Sequence, residues 1–182
     1  MPDLTIIEQC APTLAGIKTG SLFSLAFPDD ETAKEEIRAL NRLLLAKGIR
    51  AVPIGKRKDR TLIYLYRPER LKADLKDPSA VQILKDKGYS MENENLCIAQ
   101  LVKHVAKDSS FPHEIGLFLG YPPSDVKGFM NSPQDGVQCV GYWKVYGNRQ
   151  AAEQTFQRYR KCTEIFRNRY KRGESLAQLA VG

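Results

Sequence analysis

Residues 49–67 read IRAVPIGKRKDRTLIYLYR. Two runs rich in β-branched and aromatic residues, 49–54 and 61–67, flank a basic GKRKDR segment. This is the pattern of a β-hairpin with Lys56, Arg57 and Lys58 at its tip. Upstream, SLFSLAF (21–27) is short and apolar, which predicts a buried strand. Between the two lies DDETAKEEIRALNRLLLAKG (29–48), the clearest helix in the chain. Asp30 is placed to cap it, acids crowd its first turn, and Ala33, Ile37, Leu40 and Leu44 form one apolar stripe. Gly48 closes it. Strand, helix and strand in this order imply a right-handed crossover if the two strands are parallel neighbours.

Working outward, DLTIIEQC (3–10) reads as a short helix ended by APTLAG, where Pro12 and Gly16 punctuate. Pro68 opens a helix at PERLKADL, and Asp77 with Pro78 opens another at DPSAVQILKDKG. In ENLCIAQLVKHVAK (94–107), Ile98, Leu101, Val102 and Val105 share one helical face. GVQCVGYWKVYG (136–147) has the Val, Tyr and Trp content of a further strand. From Arg149 to Tyr170, Ala152, Phe156, Tyr159, Thr163, Phe166 and Tyr170 recur at helical spacing, with most basic residues on the other side. The expected fold class is α+β: one domain over residues 1–182, with roughly four strands in a mixed sheet. Several helices pack on it, and a long basic helix ends the chain.

The chain's 182 residues, 42% hydrophobic and 27% charged, suit one folded core rather than a disordered chain. No apolar run approaches the roughly 20 residues of a membrane-spanning helix. The N-terminal segment has an acid at Asp3 and no basic region, unlike a secretory signal. The expected location is the cytoplasm, with no membrane partner. Cys10, Cys97, Cys139 and Cys162 stand singly, with no C-x-x-C and no paired Cys/His spacing, so reduced thiols are expected rather than a closed zinc site. From Lys144 to Gly173 there are nine Lys or Arg against two Glu, which accounts for the whole net charge of +7. Basicity is therefore local to the C-terminal segment.

Five stretches carry a family likeness: CAPTLAGIKTGSLFSL (10–25), RPERLKADLKDP (67–78), FPHEIGLFLGYPPSDVKGF (111–129), GYWKVYG (141–147) and RYRKC (158–162). Together they resemble an uncharacterised bacterial family, domain of unknown function 3793, over about Cys10 to Leu179. Thr19 stands where the family pattern has proline. The resemblance implies no established activity. It also implies a genetic setting beside flavodoxin and ferrous-iron uptake, and hence a redox or iron context.

Three features could carry chemistry. His113 and Glu114 begin an H-E pair, but a zinc-protease helix needs a second His at the position held by Leu117. Pro112 and Glu114 suit a helix start, whose positive end would keep the His113 ring neutral. A neutral imidazole is able to act as ligand, base or hydrogen-bond donor. GYPPSDVKGF (120–129) then reads as a helical hairpin with Val126, Phe129 and Met130 turned inward; its glycines are too dispersed to cradle a phosphate.

Cys10, near the end of the first helix, is the accessible thiol of interest. Cys162 follows Lys161, whose charge favours a thiolate. Cys10, His113, Glu114 and Cys162 thus form a candidate catalytic or metal-binding set if the fold brings them together, its metal or cofactor being unspecified. Cys139 is expected in a core strand and Cys97 on an amphipathic helix. The third feature is the basic face carrying Arg158, Arg160, Lys161, Arg167 and Arg169, a docking surface for an acidic protein such as a flavodoxin. Nucleic acid is the other polyanion to weigh, but no aromatic stacking platform is interleaved with these cations.

Overall fold

The computed structural model describes residues 1–107 and 111–182. β2 (Arg50–Arg57) and β3 (Arg60–Tyr66) form the expected hairpin, with Arg57 opposite Arg60. The turn is tighter than the GKRKDR segment suggests. Only Lys58 and Asp59 lie outside the strands, and Lys58 adopts φ +52° to make the reversal. β1 (Gly20–Ala26) pairs antiparallel with the other edge of β3, placing Phe23 opposite Ile63. The order is therefore β1-β3-β2. β1 and β2 run parallel to each other but are not neighbours, so α2 (Asp30–Leu44) connects them across β3. Asp29, not Asp30, caps that helix: its Oδ1 accepts from Thr32 N at 2.7 Å. The Asn41 side chain exchanges two hydrogen bonds with the Ala51 backbone, at 2.7 and 2.8 Å, and so ties α2 to the edge strand β2.

The fourth strand of the sequence reading does not join this sheet. β4 (Cys139–Val140) and β5 (Lys144–Val145) make a separate two-stranded hairpin. The chain reverses at Gly141, which packs so closely on Phe156 that a Cβ there would overlap the ring. Tertiary contact thus breaks one long apolar run into two short strands. The fold is α+β with a three-stranded antiparallel sheet and this small second one.

Helices cover both faces of the main sheet. Ile63 and Leu65 of β3 face a core shared with α1 (Asp3–Leu14) and α2. The same core takes in α8 (Arg149–Lys171) and α9 (Leu176–Leu179). Leu62, Tyr64 and Tyr66 face the opposite core, built with α3 (Pro68–Asp74), α4 (Pro78–Asp86) and α5 (Glu94–Lys107). The α6 (Ile115–Phe118) and α7 (Pro123–Asn131) pair completes it. Burial on both faces explains why TLIYLY is continuously apolar instead of alternating.

Arg67, at the end of β3, donates to the carbonyls of Thr13, Leu14, Lys47 and Val181 at 2.6–3.2 Å. It satisfies carbonyls left open at the end of α1 and holds the C-terminus against them. Among the described residues, no helix is long and apolar enough to cross a membrane.

Candidate functional site

The two thiols of the candidate set lie on one side of the sheet and His113 on the other. Cys10 is fully buried in the α1–α2–α8 core, and Cys162 packs against the same core from α8. His113 borders residues of the opposite core. The accessible thiol expected at position 10 is not there, because the first helix does not stop at Cys10. It continues through Pro12 to Leu14, so Cys10 lies on the inward stripe with Ile6, Ile7 and Leu14. Pro12 is tolerated in the last turn, and its carbonyl accepts from both Ile17 N and Lys18 N, at 3.0 and 3.1 Å.

Burial pushes the Cys10 thiol up to about 12, opposed only in part by the nearby Lys18 charge and a hydrogen bond with Ser21. Cys162 is likewise pushed up by burial, to about 11. Neither sulfur is set up as a thiolate nucleophile. Cys97 is buried and its thiol donates to Ser90 O at 3.1 Å; Cys139 is half-buried on the small hairpin rather than in a core strand. Among the described residues, no group of three or more His, Cys, Asp or Glu side chains is placed to hold a metal ion.

Next to Cys10 the structure buries a cation. Lys18 is 7% exposed, and its ammonium donates to the Gly20 carbonyl and stands 5.5 Å from the Tyr121 ring centroid. Burial lowers its pKa to about 8, with the Cys10 interaction working the other way. Beneath it, Thr13 and Ser21 share a buried hydroxyl hydrogen bond of 2.9 Å.

His113 and Glu114 part company. Glu114 is the N-cap residue of α6, but its carboxylate turns into the core instead of serving the helix end. There Oε1 accepts from the Tyr89 hydroxyl and pairs with His104 Nδ1, both at 3.1 Å. No periodicity links α5 to the start of α6, so nothing in the sequence signals this pairing.

His113 is exposed, edge-on to Phe129 with ring centroids 4.9 Å apart. Both line a pocket of about 210 Å³ with Tyr121, Val126, Trp143 and Lys144 among its walls. Tyr121 and Trp143 stack at 4.7 Å between ring centroids. Gly116 lets α6 and α7 approach, since a Cβ there would come within 2.8 Å of Val126. Asp125, 3% exposed, accepts from Trp143 Nε1 at 2.7 Å and from the Tyr146 and Gly147 amides at 2.9 and 2.8 Å.

The basic residues of α8 before Lys171 fall into two groups. Arg149, Arg167 and Arg169 pair with Glu153, Glu8 and Glu174. Arg158, Arg160 and Lys161 are exposed, and among the described residues none of the three makes an ion pair. The small hairpin exposes Val140 (69%) and Tyr142 (40%), the latter packed on Phe156 and Tyr159 and within the field of Arg160.

A family model described as a protein of unknown function, DUF3793, matches residues 6–180. The chain belongs to the DUF3793 family. No curated protein and no solved structure matches it. Within this DUF3793 chain, the CAPTLAGIKTGS fingerprint is the segment that builds the buried Cys10, Thr13, Lys18 and Ser21 cluster. The FPHEIGLFLGYPP fingerprint builds the wall between the second core and the aromatic pocket.

Proposed function

We propose that this DUF3793 protein is a single-domain, cytoplasmic docking protein whose α8 face receives an acidic protein partner. The observation that carries the reading is the trio Arg158, Arg160 and Lys161, exposed and without an ion pair among the described residues. Exposed Arg and Lys usually cost little in water, so three unpaired cations do not by themselves define an interface. Their setting does more. Tyr142, 40% exposed, stands beside Arg160, and Ile165, 44% exposed, lies one turn of α8 beyond Lys161. An exposed tyrosine among arginines matches the composition of protein–protein contact surfaces. Complementary charge would speed encounter with an acidic partner within the roughly 8 Å screening length of physiological salt. The family resemblance makes a flavodoxin-like protein, and so redox or iron metabolism, the first partner class to try.

Purified flavodoxin titrated at low and high salt tests this directly, with Arg158→Glu/Arg160→Glu/Lys161→Glu as control. Binding that weakens with salt and falls at least about tenfold in the triple variant supports the reading. Other acidic proteins, enriched by the wild type over the variant and then confirmed as purified pairs, would support the docking face with a different partner. Binding indifferent to the three reversals, or equal affinity for duplex DNA or RNA, overturns it.

A further inference from the structure

The aromatic pocket at His113 shares no wall residue with the docking surface, and its chemistry points to a ligand of its own. At about 210 Å³ it exceeds the roughly 150 Å³ at which a dry apolar cavity takes up benzene, so one substituted ring fits. Its apolar walls come from four segments: Phe111 and Ile115, Tyr121, Val126 and Phe129 from α7, and Trp143 of the small hairpin, which stacks on Tyr121. Flat walls of this kind hold a planar ring by offset or edge contact.

Polar groups at such a site fix the orientation and charge of a ligand. Asp125 is already engaged: Oδ2 takes the Trp143 indole N–H, and Oδ1 takes the Tyr146 and Gly147 amides. Its charge is held by three donors and it is 3% exposed, so it has little left for a ligand cation. Lys144 is different. Its ammonium lies 5.6 Å from the Phe129 centroid and donates to Pro133 O at 2.8 Å and Gln134 Oε1 at 3.4 Å. Both acceptors are neutral, and among the described residues Lys144 makes no ion pair. His113 stands exposed on the same Phe129 ring. At this pocket the ammonium thus spends two of its three donors on neutral acceptors and keeps its charge unpaired, and it stands with the exposed His113 imidazole around an aromatic slot.

We propose that the pocket binds a small planar aromatic monocarboxylate, its ring against Trp143 and Phe129 and its carboxylate toward Lys144 and His113. Trp143 is the only tryptophan in the chain, so the site carries its own reporter. The test titrates the full-length protein with phenylacetate, phenylacetamide and phenethylamine, following tryptophan fluorescence and saturation-transfer NMR of the ligand. Phenylacetate should give a saturable change and bind about tenfold tighter than the amide, the scale of one charge-assisted hydrogen bond.

Lys144→Met should bring acid and amide to equal affinity, while Phe129→Ala should weaken both alike. Melting curves of each variant confirm that it is folded. The wild-type ranking decides the matter even if a variant fails to fold. Equal affinity for acid and amide overturns the proposal, as does the absence of saturation by any of the three. Tightest binding of phenethylamine would assign recognition to Asp125 and equally overturn it.

Discussion

The indole N–H of Trp143 donates to Oδ2 of Asp125 at 2.7 Å, joining the small hairpin to the first turn of α7 across eighteen residues of sequence. Asp125 is the acceptor for three N–H groups, so its removal affects more than one contact. Asp125→Ala should destabilise the fold by about 2–3 kcal/mol, because N–H donors shielded from water are costly to leave unpaired. Asp125→Asn keeps a carbonyl oxygen for two amides and should cost about half as much. Thermal unfolding followed by tryptophan fluorescence measures both, and equal stability of all three proteins would remove Asp125 as the anchor.

Glu114 makes a parallel case in the second core. One carboxylate oxygen serves both Tyr89 and His104, so Glu114→Gln retains an acceptor for the pair while Glu114→Leu does not. We expect a loss of about 1 kcal/mol for the first and about 2–3 kcal/mol for the second. In a double-mutant cycle with His104→Ala, Glu114→Leu should show a coupling above about 0.5 kcal/mol. Additive losses would mean that the His104 contact contributes nothing.

Lys18 gives a pH dependence whose sign follows from its burial. Its pKa falls from 10.5 to about 8 on folding, so between those values the unfolded chain holds more protons. Stability contributed by this group therefore rises from pH 8 to 10.5, and the cost of burying the charge, roughly 3 kcal/mol, is fully felt below pH 8. Lys18→Met should melt higher than wild type at pH 7, less whatever is lost with the Gly20 hydrogen bond. That advantage should shrink across pH 8 to 10.5. A gap that stays constant over this window would show that Lys18 remains charged in the fold.

Cys10 should resist alkylation. Its sulfur is fully buried and its pKa is pushed up to about 12, so reaction requires an opening of the core. In native protein at neutral pH, iodoacetamide should modify half-buried Cys139 at least about a hundredfold faster than Cys10, as read by peptide mass spectrometry. Denaturant should abolish the difference. Rapid native labelling of Cys10 would restore it as a candidate nucleophile.

Local regularities were legible from residues alone. The stripe Ala33, Ile37, Leu40 and Leu44 of α2, the hairpin around Lys58, the prolines opening α3 and α4, and the amphipathic α8 all follow from spacings within a few residues. Family membership was legible too, because long fingerprints such as residues 111–129 leave little room for coincidence. What tertiary structure decided lies in contacts between distant segments. Phe156 packing on Gly141 divided an apparent strand into two short ones. Continuation of α1 through Pro12 turned Cys10 from the surface into the core.

The pair His113–Glu114 shows the same limit at a single peptide bond. One side chain went inward to Tyr89 and His104, the other outward to the aromatic pocket. A sequence specifies helix and strand through short-range periodicity. Which side of an element faces a partner, and which charge is left unpaired, depends on burial and on groups tens of residues away.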